Sequence, residues 1–374
     1  MINMAEVGRK IGVGIVGASA SRGWASVAHI PAIRALDAFE IRGVSTTRLE
    51  SAKATAGRLG VDLAFDTHQA LVSRPEIDLV VIAVKVPEHH QIVTDALAAG
   101  KMVFCEWPLG RNLLEAEELA GLAREKQLKT VIGLQGGLHP PIRFLRDLIH
   151  QGAIGLPLST SIRAHPTEDM WVGRYDRPFE FMAQTDNGAT LLSIAVGQAL
   201  EPLAQVLGEF DSLSAVVANQ RGDGIRLWDG ATLSKNAPDE IAIAGRLQGG
   251  IVASVHYSAG LPSGPPMAWE IQGTEGSLRI EALSGYIHFG DLAITFRRGQ
   301  EPAQRMTVPA QYVKDDLGLG AGAAGVARLY SQFASDLQSG TSKAPDFETA
   351  LSRHRALDAI LRAAETGRRQ DVSV

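Results

Sequence analysis

The N-terminal third of the chain alternates short apolar runs with helix-patterned segments, and the first run ends directly in a glycine-bearing turn. Few folds accept that order. Gly12–Val16 reads as a buried first strand, Ile41–Ser45 as a second and Asp78–Val84 as a third. The third is apolar on both faces, as a strand lying between two helical layers must be. Met102–Cys105 follows a further helix, and Asn112 opens the next one with Glu115 at capping-box spacing. Leu113, Leu114, Ala116, Leu119 and Leu122 give that helix its apolar stripe, and Thr130–Leu134 closes the series as a strand. Such βαβ units predict an α/β fold built on a doubly wound parallel sheet.

After His139-Pro140-Pro141 the pattern changes. One helix, Ile142–Gln151, precedes strand-like runs with no helices between them: Leu158–Ala164, Leu213–Val217, Glu240–Leu247, Ile251–Tyr257, Trp269–Gln272, Ser277–Glu281 and Leu292–Phe296. Gln248-Gly249-Gly250 and Gly273-Thr274-Glu275-Gly276 read as hairpin turns. This is an α+β pattern with a large, mostly antiparallel open sheet. With 374 residues, the chain divides into two domains, 8–134 and 135–374. The closing helices, Val326–Leu337 and Phe347–Ala364, are free to pack back on the first, and Gly318–Gly325 reads as a flexible loop.

Formal net charge is -5 and no basic block occurs, so a nucleic-acid partner is not expected. The start of the chain has no apolar signal region, and no apolar run is long enough to span a bilayer. Cys105 is the only cysteine, which excludes an intrachain disulfide and fits a reducing compartment. The expectation is a cytoplasmic protein with no membrane partner. Glu88-His89-His90 holds potential metal ligands, but adjacent side chains lack one-face spacing, so no metal is expected.

The turn Gly17-Ala18-Ser19-Ala20-Ser21-Arg22-Gly23, followed by Trp24, lies between a strand and a helix. There, glycine lets backbone amides approach a dinucleotide diphosphate at the helix N-terminus. Ser19 replaces the middle glycine of GxGxxG, and the Ser19 and Ser21 hydroxyls are possible compensating donors. Pro31 predicts a kink or a late helix start. At the end of the second strand stand Ser45, Thr46, Thr47 and Arg48, with no carboxylate until Glu50. An acid there holds a ribose 2′-hydroxyl, whereas a nearby Arg accommodates a 2′-phosphate, so NADP is favoured and NAD is possible.

Leu79–Val84, Pro87, His89 and the run Ala98–Leu109, which contains Gly100-Lys101-Met102-Val103-Phe104-Cys105-Glu106-Trp107-Pro108, resemble the Gfo/Idh/MocA oxidoreductases. Gly152–Gly155, Asn187–Leu192, Ile271–Leu278 and Ala363–Gly367 extend the resemblance over nearly the whole chain. It implies a Rossmann domain, then a domain whose open sheet carries a sugar-like substrate on one face and homo-oligomer contacts on the other. It also implies cofactor contacts from Val84, Lys85, Val86, His89, Glu106, Trp107 and Pro108. Members use a Lys to polarise the substrate oxygen and an Asp and a His to support proton transfer. Here Trp107, Ser193 and Gly197 occupy those three positions. Together with Ser19–Trp24 and Lys85–His89, these departures resemble the branch containing the fungal galactose-pathway repressor, which implies a retained cofactor site with altered chemistry.

Replacement acid–base groups are therefore sought in Lys85, His89 and Tyr175, with His165, Asp169, Trp171 and Ser193 toward the substrate. Trp107 reads equally as an aromatic wall of the site or as core packing. Two functions stay open: an NADP-dependent oxidoreductase acting on a sugar-like alcohol or ketone, and a non-catalytic NADP-binding ligand sensor acting through a protein partner.

Overall fold

The apolar runs of the N-terminal third become six parallel strands: β1 (Ile11–Val16), β2 (Phe39–Ser45), β3 (Leu63–Phe65), β4 (Leu79–Ile82), β5 (Met102–Cys105) and β6 (Thr130–Ile132). In the computed structural model, which describes residues 9–19, 22–288, 290–313 and 317–372, they are ordered β3-β2-β1-β4-β5-β6. Every residue of β1 and β4 is buried, which is why these two runs are apolar throughout. The chain leaves β1 toward β2 on one side and resumes at β4 on the other. That reversal creates a crevice at the strands' carboxyl ends, where such sheets bind ligands.

A second sheet follows. Its strands, together with those of a smaller sheet, are β7 (Pro157–Ala164), β8 (Arg174–Tyr175), β9 (Phe210–Ala218), β10 (Gly224–Arg226), β11 (Thr232–Leu233), β12 (Glu240–Leu247), β13 (Val252–Ser258), β14 (Met267–Gly273), β15 (Gly276–Ala282), β16 (Leu292–Arg298), β17 (Gln304–Met306) and β18 (Gln370–Asp371). Nine of them form the order β17-β16-β15-β14-β7-β13-β12-β9-β18, while β11-β10-β8 make a separate small sheet. In the large sheet only β7 and β13 pair in parallel. The architecture is the one expected: a parallel Rossmann sheet, then a mostly antiparallel open sheet.

Alternation sets the faces of the large sheet. Ile162, Ile241, Ile243, Val255, Tyr257, Trp269, Ile271, Leu278 and Ile280 are buried, whereas Val216, Ala242, Ala244, Val252 and Ser254 are exposed on the other face. The Trp269 indole donates to Thr160 Oγ1 at 2.7 Å. Between β9 and β12 a buried ion pair, Lys235–Asp239 at 2.8 Å, organises the connection. Asp239 also accepts the Gln220 and Arg221 amides, and Lys235 reaches Asn219 Oδ1 at 2.7 Å.

The chain divides into two compact units, residues 1–135 with 316–351 and residues 136–315 with 352–374. Three local expectations are corrected. The strand from Thr130 ends at Ile132, because a 3-10 turn begins at Gln135. The Gly/Ala stretch is a loop only as far as Gly320; Ala321 begins a helix running to Ser339. Its glycines serve close packing, since a Cβ on Gly322 would lie 2.9 Å from the Trp24 ring and one on Gly325 3.0 Å from Gln135. At Asn112 only half of the capping box forms. The side chain accepts the Glu115 amide, but the Glu115 carboxylate turns to the Arg111 amide instead. Among the described residues no helix is long and apolar enough to cross a membrane, and no group of three or more His, Cys, Asp or Glu side chains gathers as a metal site.

Candidate functional site

Gly17 joins the ends of three strands. Its amide donates to the Ser45 carbonyl at 3.0 Å, and its φ is +89°. A Cβ there would stand 2.6 Å from both the Ala83 carbonyl oxygen and Val84 Cγ1. Only glycine meets the left-handed backbone and the approach of the chain beyond β4. Ser19 is half-buried and Arg22 is exposed; Ala20 and Ser21 lie outside the described residues. Gly23, φ +84°, has open space where a Cβ would point. Its carbonyl accepts the Ser26 and Val27 amides and so starts the helical path. That path is a π-helix, Ala25–His29, which becomes α-helical at Ile30 with Pro31 in the first turn. The expected late start of the α-helix is thus explained. The Trp24 ring packs on Gly322, and its indole N–H is buried with no acceptor among the described residues.

At the end of β2, Ser45 is buried and its carbonyl accepts the Gly17 amide. Thr46 Oγ1 donates to the Arg48 carbonyl at 2.9 Å. Thr47 and Arg48 are exposed, and Arg48 is the N-cap of the helix Leu49–Leu59. Arg48 thus places an exposed cation at a helix start.

Beyond β4, Lys85 is exposed and precedes a 3-10 turn, Val86–Glu88, in which Val86 is buried. His89 is 1% exposed. Its Nδ1 lies 2.8 Å from the Pro108 carbonyl and its Nε2 3.2 Å from the Val84 carbonyl. Burial lowers its pKa, against the opposing pull of these carbonyls and the Glu106 charge. The ring thus sits between the chain beyond β4 and the chain beyond β5, with a backbone carbonyl at each nitrogen. His89, expected as an acid–base group, is enclosed in this structure. The Trp107–Pro108 bond is cis and Trp107 is buried, which favours packing over an exposed aromatic wall. Glu106 Oε1 accepts from His29 Nε2 at 2.8 Å, and the second carboxylate oxygen faces Gly133.

In the other unit, Tyr175 belongs to β8. It is 1% exposed, covered by Gly224, and burial pushes its hydroxyl up to about 12. The side chain expected as a proton acceptor thus lies in the core of the small sheet. Trp171 is buried as well, and its indole donates to Tyr286, which donates to Glu168, both at 2.7 Å. Asp169 is exposed and pairs with Arg174 at 3.2 Å. Ser193 forms a capping box with Thr190. His165 is partly exposed, and desolvation and the Arg163 charge lower its pKa. Sequence reading missed Glu168, Tyr286, His29 and the last residue's partner Tyr330, because each contact joins distant parts of the chain and leaves no local pattern.

A buried neutral histidine makes stability depend on acid. His288 is buried, and desolvation, with the nearby His139 adding to it, takes its pKa from 6.5 down to about 3. The unfolded chain then binds the proton first, so stability is full above about pH 6.5 and falls as pH drops toward the folded value. Between about pH 7 and pH 5 this group alone is expected to remove about 2 kcal/mol, read as a falling urea midpoint across a pH series. A His288→Phe variant that kept the whole slope would refute the assignment.

Residues 11–134 match the family described as "Oxidoreductase family, NAD-binding Rossmann fold", and residues 140–282 match "Gal80p, C-terminal domain". The dehydrogenase AclE of Aspergillus oryzae is 29% identical over 96% of this chain and 97% of its own. The galactose/lactose metabolism regulatory protein Gal80 of Saccharomyces cerevisiae is 30% identical over 76% of this chain and 70% of its own. The crystal structure of a super-repressor mutant of that yeast protein covers 98% of both chains at a TM-score of 0.86 and 25% identity. Levoglucosan dehydrogenase, solved with NADH and levoglucosan, shares the fold at a TM-score of 0.83 and 21% identity, over 98% of this chain and 100% of that one. The glycine cradle at the sheet's crevice and these likenesses agree: the chain belongs to the Gfo/Idh/MocA oxidoreductase family, as an NAD-binding Rossmann domain followed by a domain of the Gal80 C-terminal type.

Proposed function

We propose that the protein is an NADP-dependent oxidoreductase acting on a sugar-like alcohol or ketone, with NAD as a weaker alternative. The observation that carries the reading is the turn from Gly17 (φ +89°) to Gly23 (φ +84°), which leads from the carboxyl end of β1 into a helix start, where backbone amides can meet a dinucleotide diphosphate. Residues 17–24 would hold the diphosphate, and Thr46, Thr47 and Arg48 the ribose end. The exposed Arg48 at a helix start favours a 2′-phosphate. The bound dinucleotide supplies or takes a hydride. This chain's part is to orient the substrate and move one proton. With His89 and Tyr175 enclosed, Lys85 is the remaining candidate: its ammonium donates to the oxygen of a carbonyl substrate as the carbon is reduced. His165, Asp169 and Ser193 are candidate substrate contacts. The exposed sheet face with Val216, Ala242, Ala244, Val252 and Ser254 suits a second copy of the chain.

A second reading is a non-catalytic ligand sensor. Trp107, which is buried, with Ser193 and Gly197 at the positions of the family's Lys, Asp and His, supports it, since none of the three is a base near neutral pH.

Titration with NADPH and NADH, followed by tryptophan-to-nicotinamide energy transfer, tests the first step, and absorbance with a panel of sugars, polyols and their oxidised forms tests the second. Lys85→Ala is expected to lower kcat by about 100-fold or more while changing NADPH affinity less than about threefold. Tight NADPH binding with no turnover on any of the panel moves the reading to the sensor.

A further inference from the structure

His29, Tyr330 and Glu106 form a hydrogen-bonded line inside the Rossmann unit. Tyr330 Oη lies 2.9 Å from His29 Nδ1, and His29 Nε2 lies 2.8 Å from Glu106 Oε1. The His29 and Tyr330 side chains are fully buried, and Phe104 packs against both rings. Among the described residues His29 is the only hydrogen-bond partner of the Tyr330 hydroxyl; with a neutral imidazole and a Glu106 carboxylate that can only accept, the ring proton belongs on Nε2 and the Tyr330 hydroxyl is the donor to Nδ1. This leaves the Nε2 proton to donate to the Glu106 carboxylate. Burial, with the Glu106 charge adding to it, pushes the Tyr330 hydroxyl well above its ordinary range, so it stays a donor.

The line ends at the sheet's ligand edge. Glu106 directly follows β5, and its amide donates to the Ile82 carbonyl of β4 at 3.1 Å. Its side chain is 15% exposed. The second oxygen, Oε2, stands against Gly133, where a Cβ would come within 2.6 Å.

We propose that His29 and Tyr330 are positioning residues that hold Glu106 oriented, so that Oε2 accepts a hydrogen bond from a ribose hydroxyl of the bound dinucleotide. The inference rests on the dinucleotide reading above and deepens it. Tyr330 comes from the helix Ala321–Ser339 and His29 from the π-helical turn after the diphosphate loop. The late helix is thereby part of the cofactor site without touching the cofactor.

A double-mutant cycle on the full-length protein tests this, with NADPH affinity as the readout and urea unfolding as the check on folding. Tyr330→Phe is expected to weaken NADPH about five- to tenfold by freeing the imidazole to turn. Glu106→Gln is expected to weaken it about tenfold, and the double variant no further than Glu106→Gln alone. If Tyr330 acted only on the fold, the two losses would multiply, and that result overturns the proposal. So does a Tyr330→Phe affinity within twofold of wild type. A wild-type protein with no affinity for NADPH or NADH removes this proposal and the dinucleotide reading together, whereas insensitive variants of a binding protein remove only this one. Should Tyr330→Phe not fold, nitrogen-15 histidine spectra of the wild type decide. The Nε2–H tautomer of His29 supports the line, and an Nδ1–H tautomer or an imidazolium overturns it.

Discussion

Replacing Lys235 by methionine is expected to cost about 3–5 kcal/mol of stability, seen as a large drop in urea midpoint at an unchanged m-value. Both side chains of the Lys235–Asp239 pair are 1% exposed. The carboxylate is held from three directions: Gln220 N at 2.8 Å on one oxygen, and Arg221 N at 3.1 Å and Lys235 Nζ at 2.8 Å on the other. Methionine fills much of the same space, so the loss is electrostatic rather than a cavity. It leaves a buried carboxylate with two amides and no cation. Exposed pairs behave differently. Arg124–Glu348, with side chains 64% and 51% exposed, should lose less than about 1 kcal/mol on a comparable change. If Lys235→Met cost no more than that surface pair, the buried pair would not be organising this connection.

The same substitution reaches toward function. The Lys235 stem packs against Gly173, where a Cβ would lie 3.8 Å from Lys235 Cδ. Gly173 ends the segment bearing Asp169 and Trp171 and precedes β8. The ion pair thus braces the backbone that carries candidate substrate contacts.

Where periodicity was strong, the chain was legible. Glu240–Leu247 and Met102–Cys105 match β12 and β5 residue for residue, because the first, lying between Pro238-Asp239 and Gln248-Gly249-Gly250, largely alternates and the second is an apolar run buried from Val103 onward. β3 left no such trace: it has three residues, all half-buried, too few for a period. The helix from Ala321 was hidden by glycines that serve packing on Trp24 and Gln135 rather than flexibility. The diphosphate turn was legible at Gly17 because a positive φ and a close approach both demand glycine. The burial of His89 and Tyr175 was not, since it is set by chain that arrives from elsewhere. His29 and Tyr330 are the extreme case, 301 residues apart yet in hydrogen-bond contact.

Gly17→Ala is expected to weaken NADPH binding by at least about a hundredfold, close to 3 kcal/mol, and to destabilise the Rossmann unit as well. Two costs add. The backbone at φ +89° disfavours any side chain by about 1–2 kcal/mol. The new methyl also meets a backbone oxygen, Ala83 O, at 2.6 Å. That oxygen cannot simply move aside, because the Ala83 amide donates to the Val16 carbonyl at 3.1 Å and fixes the end of β4 to the end of β1. The turn must open instead, and the amides that would meet the diphosphate open with it. Gly60→Ala separates the two costs. Its φ is +71° at the C-cap of the helix Leu49–Leu59, and nothing lies within 4 Å of a Cβ there. It should lose about 1 kcal/mol of stability and leave NADPH affinity unchanged. A Gly17→Ala protein that bound NADPH within threefold of wild type would mean the diphosphate sits elsewhere, and the cradle between β1 and β4 would be only a tight turn.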